Sequence, residues 1–134
     1  MNRLLNKAQW YSLATGIFAA DQAAKTYIDM TTPLGWSRDV TPFFNLVHVL
    51  NPGAAFSFLA GAGGWQRWFF LAIALAASVW LAWMLYRPLR RLEALSFSLI
   101  LGGALGNGFD RAVRGQVIDY LDLHLRGWHW PAFN

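Results

Sequence analysis

Residues Trp68 to Tyr86 read "WFFLAIALAASVWLAWMLY", nineteen positions without one charged side chain. As a helix rising about 1.5 Å per residue, this stretch reaches roughly 28 Å, close to the hydrocarbon thickness of a bilayer. Trp68, Trp83 and Tyr86 lie near its ends, where amphipathic rings anchor at the membrane surface. A buried helix of a soluble domain is the competing reading, but 134 residues cannot easily wrap so apolar a helix. The whole chain agrees with a membrane setting: 56% of it is hydrophobic and only 13% charged. It has no cysteine, which excludes disulfides and thiolate metal sites. His48, His124 and His129 show no tight ligand spacing, so no metal is expected. The net charge of +4 is spread along the chain rather than gathered in one patch, which argues against nucleic acid as a partner.

Two further segments extend this reading. Residues 94–109, "ALSFSLILGGALGNGF", are slightly short for a span, and Gly102, Gly103 and Gly106 offer a face that another helix can approach closely. Residues 8–28 begin apolar, but their last third carries Asp21, Gln22 and Lys25, and no cleavage site of signal-peptide type follows cleanly. The expected fold is therefore an all-α integral membrane bundle, one domain over residues 1–134, with spans at about 8–28, 68–86 and 94–109. Arg3 and Lys7 precede the first span, and Arg87, Arg90 and Arg91 fill the short loop before the third. Their density predicts that both regions, and the N-terminus, are cytoplasmic. Six of the seven acids, all but Glu93, then lie on the extracytoplasmic side. Between the first two spans, residues 29–67 read as a small extracytoplasmic β-hairpin or cradle. "PFFNLVHVL" supplies one strand, Pro52 and Gly53 suit a type II turn, and "AAFSFL" is the expected return.

Four polar groups stand out against the apolar background, where charge is costly. Asp21 and Lys25 are four apart and share a helical face, as a helix-end ion pair or as part of a site. Asn51, Gly53 and Ser57 fit plain turn chemistry as well as a functional loop. Asn107 and Asp110 share a face near Arg111, whose guanidinium can grip a carboxylate with two bonds. Asp119 and Asp122 sit in "VIDYLDLHL". Apolar company there raises a carboxylate's proton affinity, as acid–base chemistry requires, though an amphipathic surface segment would look alike.

Taken in order, "DQAAK" (Asp21–Lys25), "NPGAAFS" (Asn51–Ser57), "GGALGNGFDR" (Gly102–Arg111) and "VIDYLD" (Val117–Asp122) resemble the signature blocks of lipoprotein signal peptidase, or signal peptidase II. The resemblance covers essentially the whole chain. It implies an aspartic endopeptidase of the bacterial inner membrane with four transmembrane helices, a β-cradle and an extracytoplasmic amphipathic element. It implies a diacylglyceryl prolipoprotein as substrate, contact with membrane lipids, inhibition by globomycin-type compounds, and no cofactor. Residue by residue, it implies that Asp119 is catalytic and that Asn107, Asp110, Arg111 and Asn134 support the active site. It gives Asp21, Lys25, Asn51, Gly53, Ala55 and Phe56 to substrate binding.

The same resemblance implies a second catalytic aspartate three residues after Asn134, opening a fourth transmembrane helix. Neither lies within these 134 residues. The chain thus reads as a C-terminally truncated member, expected to insert in a membrane but not to cleave. The alternative from another class is a small membrane subunit or ion-pathway protein using Asp21, Asp110 and Asp119 as relay carboxylates.

Overall fold

The computed structural model describes residues 3–52 and 64–134. The expected return strand and its turn at Gly53 lie outside the described residues. So do Gly53, Ala55 and Phe56 as candidate substrate contacts. Three helices are present: α1 (Arg3–Thr31), α2 (Trp65–Tyr86) and α3 (Arg91–Val113). Each runs beyond the expected bounds, because polar residues at a helix end continue the backbone ladder even where the apolar pattern has stopped. α2 and α3 are long and apolar enough to cross a membrane. In α2, only Gln66, Ser78, Leu81 and Leu85 are buried, and Trp80, Val79 and Leu75 point outward. Such an outer surface suits lipid rather than water.

α3 is the central helix, packed against both α1 and α2, which meet each other far less. The glycines explain the approach on one side. A Cβ on Gly102 would fall 2.6 Å from Ile17 Cβ, and one on Gly106 would land on the Asp21 carboxylate. Gly103 meets nothing within 4 Å, so two glycines rather than three form the close face. Towards the 87–90 connection, Ala14, Leu81, Leu85, Ala94 and Leu101 from all three helices make an apolar core. There Tyr11 donates its hydroxyl to the Ala82 carbonyl at 2.5 Å.

At the opposite end lies a four-stranded antiparallel sheet in the order β1 (Ser37–Thr41), β2 (Phe44–Asn51), β3 (Val117–Leu125), β4 (Trp128–His129). The partners of "PFFNLVHVL" are therefore β1 and β3. The segment that the sequence suggested as amphipathic is a central strand. β2 and β3 register Val49 against Asp119 and Asn51 against Val117, with an irregularity between Leu46 and Val49. Arg126 and Gly127, both at positive φ, make the two-residue turn into β4. Arg67 closes the junction: its Nε donates to the Arg111 carbonyl at 2.6 Å and its Nη2 to that of Ala112 at 2.7 Å. A cation on the last carbonyls of α3 satisfies orphan acceptors and matches the helix dipole.

Gly106→Val should displace α1 from α3 and lower the melting temperature of the detergent-solubilised protein, whereas Gly103→Ala should leave it unchanged or slightly raised. Equal melting of the two variants would show that the glycine face does not hold the bundle.

Candidate active site

Two polar clusters occupy the sheet end of the bundle. The first joins α1 to α3. Lys25, wholly excluded from solvent, lies 2.9 Å from Asp21 Oδ2 and 3.1 Å from Asp110 Oδ2, and donates to Asn107 Oδ1 at 2.8 Å. An ammonium has three donors, and here all three are taken. Asp110 is as deeply buried as Lys25 and collects more partners. Its Oδ1 lies 2.6 Å from Arg114 Nη1 and accepts from Gln22 Nε2 at 3.1 Å. Its Oδ2 accepts the backbone N–H of Ile118, also at 3.1 Å.

The second cluster surrounds Asp119, 3% exposed on β3. Its Oδ1 accepts from Asn134 Nδ2 at 2.7 Å, and the Asn51 side chain hydrogen-bonds to the same carboxylate. Asn134 arrives there because Phe133 exchanges backbone hydrogen bonds with Leu121 at 2.8 and 3.0 Å. Burial pushes the Asp119 carboxyl above the ordinary aspartate value. The amides of Asn134 and Asn51, and then the charges of Lys25 and Arg111, pull against that rise. Asp119 opens onto a cavity of about 400 Å³, whose wall includes Leu50, Asn51, Pro52 and Phe133. Tyr120 lies within electrostatic reach of both clusters: its phenol is pushed up by burial and then by the charges of Asp21 and Asp119.

Around the Asp119 carboxylate, the arrangement offers a buried acid at the wall of an open cavity, two amides that hold the carboxylate, and positive charge nearby. Those are features of an acid–base site. The profile of the family described as Signal peptidase (SPase) II matches residues 13–134. The chain belongs to the signal peptidase II family. A lipoprotein signal peptidase of Ralstonia nicotianae is 53% identical over 126 residues, covering 93% of this chain and 73% of that protein. One from Aeromonas hydrophila is 50% identical over 129 residues, with 94% and 77% covered. A solved structure, described as a bacterial membrane enzyme obtained by the in meso method at 2.3 Å resolution, is 30% identical. It superposes with a TM-score of 0.81 over 95% of this chain and 77% of that one. Membership makes the chain a membrane protein, in agreement with the apolar surfaces of α2 and α3.

Within this signal peptidase II fold, the expected site residues separate into distinct positions. Asp119, Asn51 and Asn134 come together at the cavity, while Asp21, Lys25, Asn107 and Asp110 form the cluster behind it. Two readings change. Arg111 does not grip its neighbour Asp110: its guanidinium lies over the Phe70 ring at 5.2 Å, within electrostatic reach of both Asp110 and Asp119. Adjacent residues on a helix point about 100° apart, whereas Arg114, four residues on, shares the face of Asp110. Lys25, read as a substrate contact, has every donor spent inside the protein. The sequence reading missed Gln22 and Arg114. Gln22 lay inside "DQAAK", and the Asp110–Arg114 spacing of four was the available signal for the other.

Replacing Lys25 with Met would leave Asp21 and Asp110 facing each other without their shared cation. The expected loss is about 3–5 kcal/mol of stability, the usual cost of breaking a buried ion pair. A thermal melt in detergent measures it, and an unchanged midpoint would show that the cluster does not hold α1 to α3.

Proposed function

We propose that the chain carries the first catalytic aspartate of an endopeptidase that removes signal peptides from diacylglyceryl-modified prolipoproteins at the bacterial inner membrane. The observation that carries this reading is Asp119, buried at the wall of an open cavity and clasped by Asn51 and Asn134. Its raised proton affinity suits a carboxyl that must exchange protons near neutrality. The second carboxylate is the one implied three residues beyond Asn134, which itself touches Asp119. Two close carboxylates cannot both ionise, so they hold one proton between them and titrate as a unit. The charged one takes a proton from a bound water as the water oxygen attacks the scissile carbonyl carbon. The protonated one hydrogen-bonds to the carbonyl oxygen. As the tetrahedral carbon collapses, a proton passes to the leaving nitrogen and the C–N bond breaks.

The reading places the site on the extracytoplasmic side, with the N-terminus and the 87–90 loop cytoplasmic. Substrate tails would remain in hydrocarbon, worth about 0.8 kcal/mol per buried methylene. Globomycin-type compounds would compete for the cavity. The ion-pathway alternative loses support, because Asp21 and Asp110 share a buried lysine instead of lining a route.

The test is a gel-shift assay of a diacylglyceryl prolipoprotein, with the chain extended through the implied x-Ala-Asp sequence and a following span. Asp119→Asn should abolish cleavage while membrane insertion and globomycin binding persist. Asp122→Asn should keep most activity, since Asp122 pairs with His129 at 2.9 Å and Asn45 at 3.3 Å rather than with Asp119. Near-normal turnover by Asp119→Asn would refute the assignment.

The pH profile gives a second expectation. The acid limb of activity marks double protonation of the pair and belongs to the pair as a whole; burial of Asp119 works to raise it. Asn134→Ala removes a donor that favours the carboxylate, so the carboxyl should rise further and the limb move to higher pH. A limb that stays still or moves to lower pH would separate Asn134 from the titration of Asp119.

A further inference from the structure

The end of the bundle away from Asp119 carries Arg3, Lys7, Arg87, Arg90 and Arg91 against one acid, Glu93. Glu93 is spent locally, accepting the Arg90 backbone N–H at 3.2 Å as a helix cap. Among the described residues, the ion pairs all lie elsewhere, and Lys7, Arg87, Arg90 and Arg91 take part in none. Two of these cations are nevertheless held in place by rings. Lys7 Nζ sits 3.7 Å from the centre of Tyr86, and the Arg87 guanidinium 4.9 Å from that of Trp83. Both border a cavity of about 320 Å³ where the start of α1, the end of α2 and the start of α3 converge. Trp10, Pro88, Leu89 and the buried Leu85 and Ala94 complete its lining.

We propose that this cavity binds the phosphodiester headgroup of an anionic glycerophospholipid. An ammonium and a guanidinium without carboxylate partners supply charge-assisted donors to phosphate oxygens. The rings fix them beforehand, which lowers the entropy lost on binding. The apolar lining suits the glycerol and the first methylenes of the tails, and a free phosphate would leave that half of the site unused. A zwitterionic lipid brings its own ammonium against Lys7 and Arg87, so like-charge repulsion selects against it. The position, at the end of two apolar helices beside Trp83 and Tyr86, is the depth at which headgroups lie. A ligand touching all three helices stabilises the folded bundle by linkage.

Native mass spectrometry and thermal melting of the purified protein in neutral detergent test the site. The probes are phosphatidylglycerol, phosphatidylcholine and soluble glycerol phosphate. Retention of phosphatidylglycerol about tenfold or more above phosphatidylcholine is expected, with a rise in melting temperature. Lys7→Gln with Arg87→Gln should lose both effects, while Arg38→Gln with Arg126→Gln, at the sheet end, should keep them. The exchange Lys7→Arg with Arg87→Lys should also keep them, and it decides the matter if the glutamine pair melts early without lipid. Equal retention of the two lipids would overturn the proposal, as would undiminished phosphatidylglycerol binding by a stable glutamine pair. Glycerol phosphate binding as well as the lipid would mark a free-anion site and overturn it equally.

Discussion

The Asp110 carboxylate joins the helices to the sheet. Its four partners come from α1 (Gln22 and Lys25), from the end of α3 (Arg114) and from β3 (the Ile118 N–H). At an apolar depth, a carboxylate with one missing donor would be costly, so the cluster tolerates little slack. Its last bond is to the residue immediately before Asp119. A network that fixes α1 against α3 therefore also fixes where β3 begins and where Asp119 points. Gly106 is required for the same reason, since any Cβ there would occupy the space of the Asp21 carboxylate.

Asp119 is held in a different balance. Burial alone would favour the protonated form, while two amides and two cations at longer range favour the carboxylate. Both amides depend on the sheet. Asn51 ends β2, two residues beyond the Val49–Asp119 pairing, and Asn134 follows Phe133, which is hydrogen-bonded to Leu121. Strand register thus sets the electrostatics of the carboxyl. Asp122, on the same strand, is turned to other partners, His129 and Asn45.

The helix at Trp65–Tyr86 was legible because nineteen uncharged residues leave few alternatives, and the polar blocks were legible because their residue types are expensive beside it. The strand at 117–125 was harder to see. Asp119 and Asp122 are three apart, which breaks the period of two, and the pairing that makes it a strand comes from β2, about seventy residues earlier in the chain. Reading Arg111 as the partner of Asp110 followed sequence adjacency, whereas helical geometry gives that partnership to Arg114. The split of Gly102 and Gly106 from Gly103 could not be read from composition, since it depends on which face α1 chooses.

The distribution of cations bears on orientation. By number, five Lys and Arg lie at the 87–90 end and six at the sheet end, nearly a tie. Their engagement differs. At the sheet end, Lys25 and Arg114 are paired with buried carboxylates, Arg67 is bound to helix carbonyls, and Arg111 lies near Asp110 and Asp119. Those four cations are engaged within the fold, while Arg38 and Arg126 enter no ion pair among the described residues. At the other end, Lys7, Arg87, Arg90 and Arg91 have no carboxylate partner among the described residues and remain free to act on the membrane field. The positive-inside rule concerns charge presented close to the span ends. Counted by cations without a carboxylate partner, the balance is consistent with the proposed cytoplasmic 87–90 loop and with the proposed opening of the Asp119 cavity on the opposite side.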